Sequence, residues 1–152
     1  MVRRMDATRH LLVIADDYGI GPSTSRGIRD LASRGLVTGT VLLVNSPFAH
    51  RAVEEWRRAD LHADIGWHPC LTQDQPVAPV DAVASLVGPD GNFWPLGSFV
   101  RRLLLHQLRP EEIRRELYAQ FNHFRELTGH QPCFVNSHQH IALFPPVGAI
   151  LL

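Results

Sequence analysis

Hydrophobic and polar positions fall into two kinds of block that alternate along the chain. LLVIA at 11–15, TVLLVN at 40–45, ADIGWHPCL at 63–71 and CFVNSHQH at 133–140 are short apolar runs with little polar alternation. That pattern predicts four strands of a parallel sheet, each covered on both faces. Between them the spacing turns helical. In GPSTSRGIRDLASRG, Ser23 or Thr24 is expected to cap a helix that turns Ile28, Leu31 and Ala32 inward, with Gly35 as its stop. HRAVEEWRRAD at 50–60 reads as a second helix with Trp56 in the core. A longer one starts at Pro110, carries Glu111 and Glu112 at the positive end of its dipole, aligns Ile113, Leu117, Phe121 and Phe124 on one face, and stops at Gly129. FPPVGAILL at 144–152 begins another. Residues 72–99, with Pro76, Pro79, Pro95, Gly97 and a GPDG turn at 88–91, form a long connection. The order βαβαβ, loop, αβ predicts parallel strands with helices outside. Such a unit is either a small open α/β domain or the first half of a closed barrel of about eight strands.

Polar residues gather where those strands end. Asp16 and Asp17 close the first run, Asn45 the second, His68 the third, and Asn136, His138 and His140 the fourth. In parallel α/β folds the carboxyl ends of the strands converge on one ligand-binding rim. Two adjacent carboxylates at a buried strand end are costly unless a metal, a shared proton or a water-filled pocket neutralises them. Residues two apart in a strand point the same way, so Asn136, His138 and His140 are expected to share a face from which Ser137 and Gln139 turn away. Imidazoles and a carboxylate with open positions for water suit one divalent ion such as zinc, manganese or iron. A metal would then neutralise one aspartate and leave the other free as a base. His50, His62, His106, His123 and His130 lie in helical or loop contexts and are expected at the surface. Phe93 and Trp94, beside the GPDG turn, either anchor the loop or offer an apolar platform to a ligand.

Composition narrows the class further. The chain has 152 residues, 45% hydrophobic and 20% charged, which is ordinary for one folded domain with a sizeable core. Fifteen basic and fifteen acidic residues cancel, so charge gives no argument for nucleic acid or an anionic membrane as a partner. No run approaches the roughly 20 apolar residues of a membrane span, and the apolar stretch after Arg9 leads into Asp16 rather than into a signal-peptide cleavage site. Cys70 and Cys133 lack a CxxC or zinc-finger spacing and read as buried free thiols in a reducing cytoplasm.

Three ordered motifs, ADDYG, GWHPCLT and NSHQHIALFPP, resemble the ADDFG, GLHLxLT and DSHxHxHxxP motifs of the YdjC-like carbohydrate deacetylases, which include chito-oligosaccharide and hopanoid-biosynthesis-associated deacetylases. The likeness runs from about residue 10 to the end. It implies the N-terminal half of a deformed (β/α) barrel of polysaccharide-deacetylase type, with residues 1–152 as a single, incomplete-barrel domain. It implies metal-dependent removal of an N-acetyl group from an amino sugar. By motif, Asp17, His68 and His138 fall at the ligands of one magnesium or zinc ion, and Asp16 at the catalytic base. His140 is a stand-in for the general acid, and Asn45, Phe93, Trp94 and Asn136 are expected to face the sugar. Two positions depart from the pattern: Asn136 stands where many members have Asp, and Ala142 replaces the last histidine. The expected partners are a small carbohydrate and a second copy of the chain. The alternatives are another metal-dependent amidohydrolase, or a noncatalytic half-barrel that binds metal and pairs its open edge with another copy.

Overall fold

Three of the four apolar runs pair into a sheet, and the fourth is laid along its edge. The computed structural model describes residues 11–151. The strands are β1 (Ile14–Tyr18), β2 (Gly39–Leu42) and β3 (Asp64–Trp67), all parallel in the order β1-β2-β3, with Ile14 opposite Gly39 and Gly39 opposite Asp64. The helices are α1 (Pro22–Ser33), α2 (Ala49–Ala59), α3 (Leu96–Leu104), α4 (Pro110–Thr128) and α5 (Val147–Leu151). Short 3-10 segments cover Val80–Val83 and His138–Leu143. The sheet is open, a half of a deformed (β/α) barrel rather than a closed one. No helix among the described residues is long and apolar enough to cross a membrane.

The predicted fourth strand is reduced to one parallel bridge between Trp67 and Val135. The Trp67 N–H donates to the Phe134 carbonyl (3.1 Å) and the Asn136 N–H to the Trp67 carbonyl (3.2 Å). After His138 the chain leaves the extended conformation, because Gln139 and His140 both adopt left-handed backbone (φ 49° and 55°). Asn136, His138 and His140 therefore do not share a strand face.

Each face of the sheet is filled differently. Tyr18, Leu42, Ile65 and Trp67 join Ile28, Val53, Trp56, Ile113, Leu117 and Phe124 in the core between sheet and helices. Tyr18 meets Trp56 edge-on at 5.1 Å between ring centroids, and its hydroxyl donates to the Ala52 carbonyl (2.7 Å). On the opposite face the Phe134 ring lies over Gly39 and Gly66. A Cβ at Gly66 would sit 2.6 Å from that ring and from the Phe134 carbonyl, and one at Gly39 2.8 Å from Phe134 Cζ. The Phe134 carbonyl is backbone and has little room to yield. Gly66→Ala is therefore expected to destabilise the fold by about 1–3 kcal/mol through overpacking. A urea unfolding midpoint checks it; an unchanged midpoint would mean that Phe134 can move away at no cost.

Local expectations hold where turn chemistry is strong. Gly35 (φ 68°) and Gly129 (φ 83°) end α1 and α4 in left-handed conformation, with the Leu36 N–H returning to the Leu31 carbonyl (2.9 Å). Trp56 is buried, and Pro110 opens α4. Others are corrected. Helix α1 starts at Pro22 after an extended Gly21 and has no side-chain cap, so Ser23 and Thr24 lie inside it. Its buried stripe is Ser25, Ile28 and Ala32, which leaves Leu31 at the rim. Leu11, Leu12 and Val13 precede β1 and are exposed at 81%, 66% and 40%, because β1 is a sheet edge with nothing beyond it among the described residues. Cys70 is buried, but Cys133 is exposed.

The long connection is packed rather than loose. Val83, Leu86, Val87 and Phe93 are buried in the core, and Val87 pairs antiparallel with Phe93 across the GPDG turn.

Candidate metal centre

A bulge in β1 explains how two adjacent aspartates can serve one rim. Ala15 pairs with Thr40 and Tyr18 with Leu42, so Asp16 and Asp17 together oppose the single residue Val41. Asp17 takes left-handed backbone (φ 65°), a conformation that Asp tolerates better than most residues. In a regular strand the two side chains would point to opposite faces. The bulge turns the Asp17 carboxylate toward the histidines that follow β3 and the Val135 bridge.

Asp17 Oδ1 lies 3.1 Å from His68 Nε2 and 2.8 Å from His138 Nδ1. One ligand atom from each of the three residues falls within 4.8 Å of the others, and the imidazole rings meet edge-on at 5.4 Å. His68 is 2% exposed and His138 8%. Burial pushes the His68 pKa below its ordinary value, against the pull of the Asn136 carbonyl and Asp17. A neutral imidazole carries one ring proton. The close contact of Nδ1 with the Asn136 carbonyl claims it, so Nε2 presents a lone pair to the Asp17 carboxylate. Two acceptors facing each other at 3.1 Å repel unless a cation lies between them. His138 adds a second signal, since its Nε2 is buried with no hydrogen-bond partner among the described residues. A carboxylate oxygen and two imidazole nitrogens, one with its far nitrogen tied to a backbone carbonyl, fit a single divalent ion.

The other residues singled out from sequence are distributed around this centre. Asp16 is exposed, and its Oδ1 accepts a hydrogen bond from Asn136 Nδ2 (2.7 Å). Asn136 thus touches both Asp16 and His68, through side chain and backbone. His140 is exposed on the left-handed turn and outside the three-residue cluster. Ser137 is buried, and its Oγ accepts the Ala142 N–H (3.0 Å), which stabilises the turn. Asn45 Nδ2 donates to the Gln73 carbonyl (2.7 Å) at a groove of about 760 Å³ lined also by Ser46, Asp74, Gln75 and Asn92. Phe93 is in the core at 4% exposure. Trp94 donates from Nε1 to the Ser85 carbonyl (3.0 Å) beneath the Arg102 guanidinium, 3.7 Å from its ring. In this structure both aromatics anchor the long connection. Sequence reasoning passed over Asp74, which lines the groove on left-handed backbone (φ 60°) and whose carboxyl pKa is raised by burial. Its only signal was its position just beyond the strand end that carries His68.

Comparison with known proteins gives a consistent picture. The family described as YdjC-like protein matches residues 10–152. A mouse (Mus musculus) protein named carbohydrate deacetylase is 37% identical over 138 residues, covering 90% of this chain and 44% of its own length. The human (Homo sapiens) protein of the same name is 36% identical, with 90% and 42% covered. A crystal structure of an Enterococcus faecalis V583 protein, for which a role in cellobiose-phosphate cleavage is proposed, superposes with a TM-score of 0.83 at 30% identity, over 92% of this chain and 52% of that one. The chain thus spans about half the length of the relatives it matches.

Proposed function

The chain belongs to the YdjC-like protein family, and from that premise we propose that it is a metal-dependent amide hydrolase that removes the N-acetyl group of an amino sugar. The observation that carries the reading is the convergence of Asp17 Oδ1 with nitrogens of His68 and His138 within 4.8 Å of one another, beside a buried His138 Nε2 without a hydrogen-bond partner among the described residues. Asp17, His68 and His138 would hold the ion. A divalent ion in such a site polarises a carbonyl and lowers the pKa of a water toward neutrality.

The remaining chemistry falls to the chain's own residues. Asp16, kept at the rim by the Asn136 amide, takes a proton from the attacking water as general base. The water oxygen bonds to the acetyl carbon, the C–N bond breaks, and His140 returns a proton to the departing nitrogen. Acetate and a free amine are the products. Asn45 and Asn136 contact the sugar, and the Phe93–Trp94 segment supports the wall of the groove. The carbohydrate-deacetylase name of the mouse and human relatives supports the acetamido sugar as substrate.

Acetate release tests this directly. Loaded with magnesium or zinc, the protein should release acetate from N-acetylglucosamine oligomers and not from simple acetamides. The reverse preference would make it an amidohydrolase of another kind.

A second reading is favoured by the open sheet, in which exposed Leu11, Leu12 and Val13 border β1 and half-exposed Val135 borders the other edge. As one incomplete-barrel domain, the chain pairs these edges with a second copy. Light scattering should then give a dimer or larger species, and a monodisperse monomer would reject the pairing. Two free thiols support a reducing, cytoplasmic setting for either reading.

A further inference from the structure

Helix α4 carries three buried polar residues at four-residue spacing on one face: Glu112, Glu116 and Gln120, exposed at 6%, 0% and 0%. Such groups are costly to bury unless each is paired. Here each of them reaches loop backbone, while Arg109 Nη1 also donates to Glu112 Oε1 (3.1 Å). Glu112 Oε2 accepts the Ser85 N–H (2.7 Å), and the two Glu116 oxygens accept the Val77 and Ala78 N–H groups (both 2.9 Å). Gln120 takes both backbone groups of one residue: Oε1 accepts the Cys70 N–H (3.0 Å), and Nε2 donates to the Cys70 carbonyl (2.6 Å). Nε2 also donates to Glu116 Oε1 (2.8 Å). That third bond fixes the amide, because a flipped Gln120 would turn its oxygen toward a carbonyl and a carboxylate.

Cys70 lies two residues past His68, and the peptide between them joins the two histidines. The Pro69 carbonyl accepts the His138 N–H (3.0 Å), while the His68 N–H is tied to the Leu42 carbonyl (3.0 Å). The Pro69 carbonyl and the Cys70 N–H belong to one peptide group, which resonance keeps planar. One side of that plane is therefore held by Gln120 and the other holds His138. A tilt at Cys70 must move the acceptor on which the His138 backbone rests.

We propose that Gln120, oriented by Glu116, is a positioning residue for the metal centre, setting the spacing of His68 and His138 through the Pro69–Cys70 peptide. The inference rests on the reading of Asp17, His68 and His138 as a metal site. Groups that only orient ligands commonly change metal affinity by about 10- to 100-fold.

The test compares Gln120→Met, which keeps the volume and removes the hydrogen bonds, with Ile113→Val, a core change on the same helix that leaves the Cys70 contacts in place. Cobalt and zinc titrations give the affinity, urea unfolding in chelator gives stability, and long-range proton–nitrogen NMR of the metal-free protein gives the His68 and His138 ring environments. Gln120→Met should weaken the metal by about tenfold or more and shift the His138 ring signals, whereas Ile113→Val should change neither. Equal affinity and unmoved ring signals in Gln120→Met would reduce Gln120 to a structural residue and overturn the proposal. If the wild type takes up no metal, the metal reading fails, and the ring signals alone still decide whether Gln120 positions the histidines. Should Gln120→Met not fold, Glu116→Gln, which frees the amide to turn, must show the same ring shifts, and their absence rejects the proposal.

Discussion

Replacing His68 by Ala is expected to weaken divalent-ion binding by more than about 100-fold, beyond the range in which loss of an orienting neighbour acts. His68 is almost fully buried, which pushes its pKa down, and it is held by the Asn136 carbonyl so that Nε2 faces Asp17. No other histidine among the described residues joins that cluster, so the lost nitrogen has no replacement. Stability should report the same event. A ligand at 100 times its dissociation constant stabilises the folded state by about 2.7 kcal/mol, so metal should raise the melting temperature of the wild type and leave that of His68→Ala where chelator puts it. Equal metal-induced shifts in the two proteins would place the ion elsewhere.

Asp16→Asn should separate chemistry from binding. The two side chains are nearly isosteric, and an asparagine oxygen can still accept the Asn136 amide hydrogen bond, so the rim should keep its shape. Asp16 is also outside the three-residue cluster, so metal affinity should stay within about twofold while turnover falls by about 10²- to 10⁴-fold, the usual contribution of a general base. Metal titration and acetate release on one preparation check both halves. A variant that loses metal and turnover together would make Asp16 a ligand or a support for one, and retained turnover would remove it from the mechanism.

Much of this architecture could be read from residue spacing because local chemistry and tertiary packing agree. β2 is buried along its whole length in the middle of the sheet, β3 is buried from Ile65 to Trp67, and α4 has its proline start, glycine stop and apolar face where the pattern places them. The three positions of the Asp17, His68 and His138 cluster are legible as motifs, but not how they converge. That depends on the sign of one backbone angle at Asp17, and nothing in the pair Asp16–Asp17 states which aspartate adopts it. His140 shows the opposite error. Strand periodicity put it beside His138, yet two consecutive left-handed residues break the extension between them. Leu11, Leu12 and Val13 look like strand core in isolation, and whether they are covered depends on what lies beyond the β1 edge. The polar positions Glu112, Glu116 and Gln120 carried a readable signal, since they recur on the buried side of an amphipathic helix, but the backbone groups they hold lie far away in sequence.

Anomalous X-ray scattering from crystals soaked in zinc or manganese, collected on both sides of the metal absorption edge, tests the metal centre most directly. The account predicts one peak per chain within coordination distance of Asp17 Oδ1, His68 Nε2 and an imidazole nitrogen of His138. A peak at other residues, or none at this site under saturating metal, would contradict it.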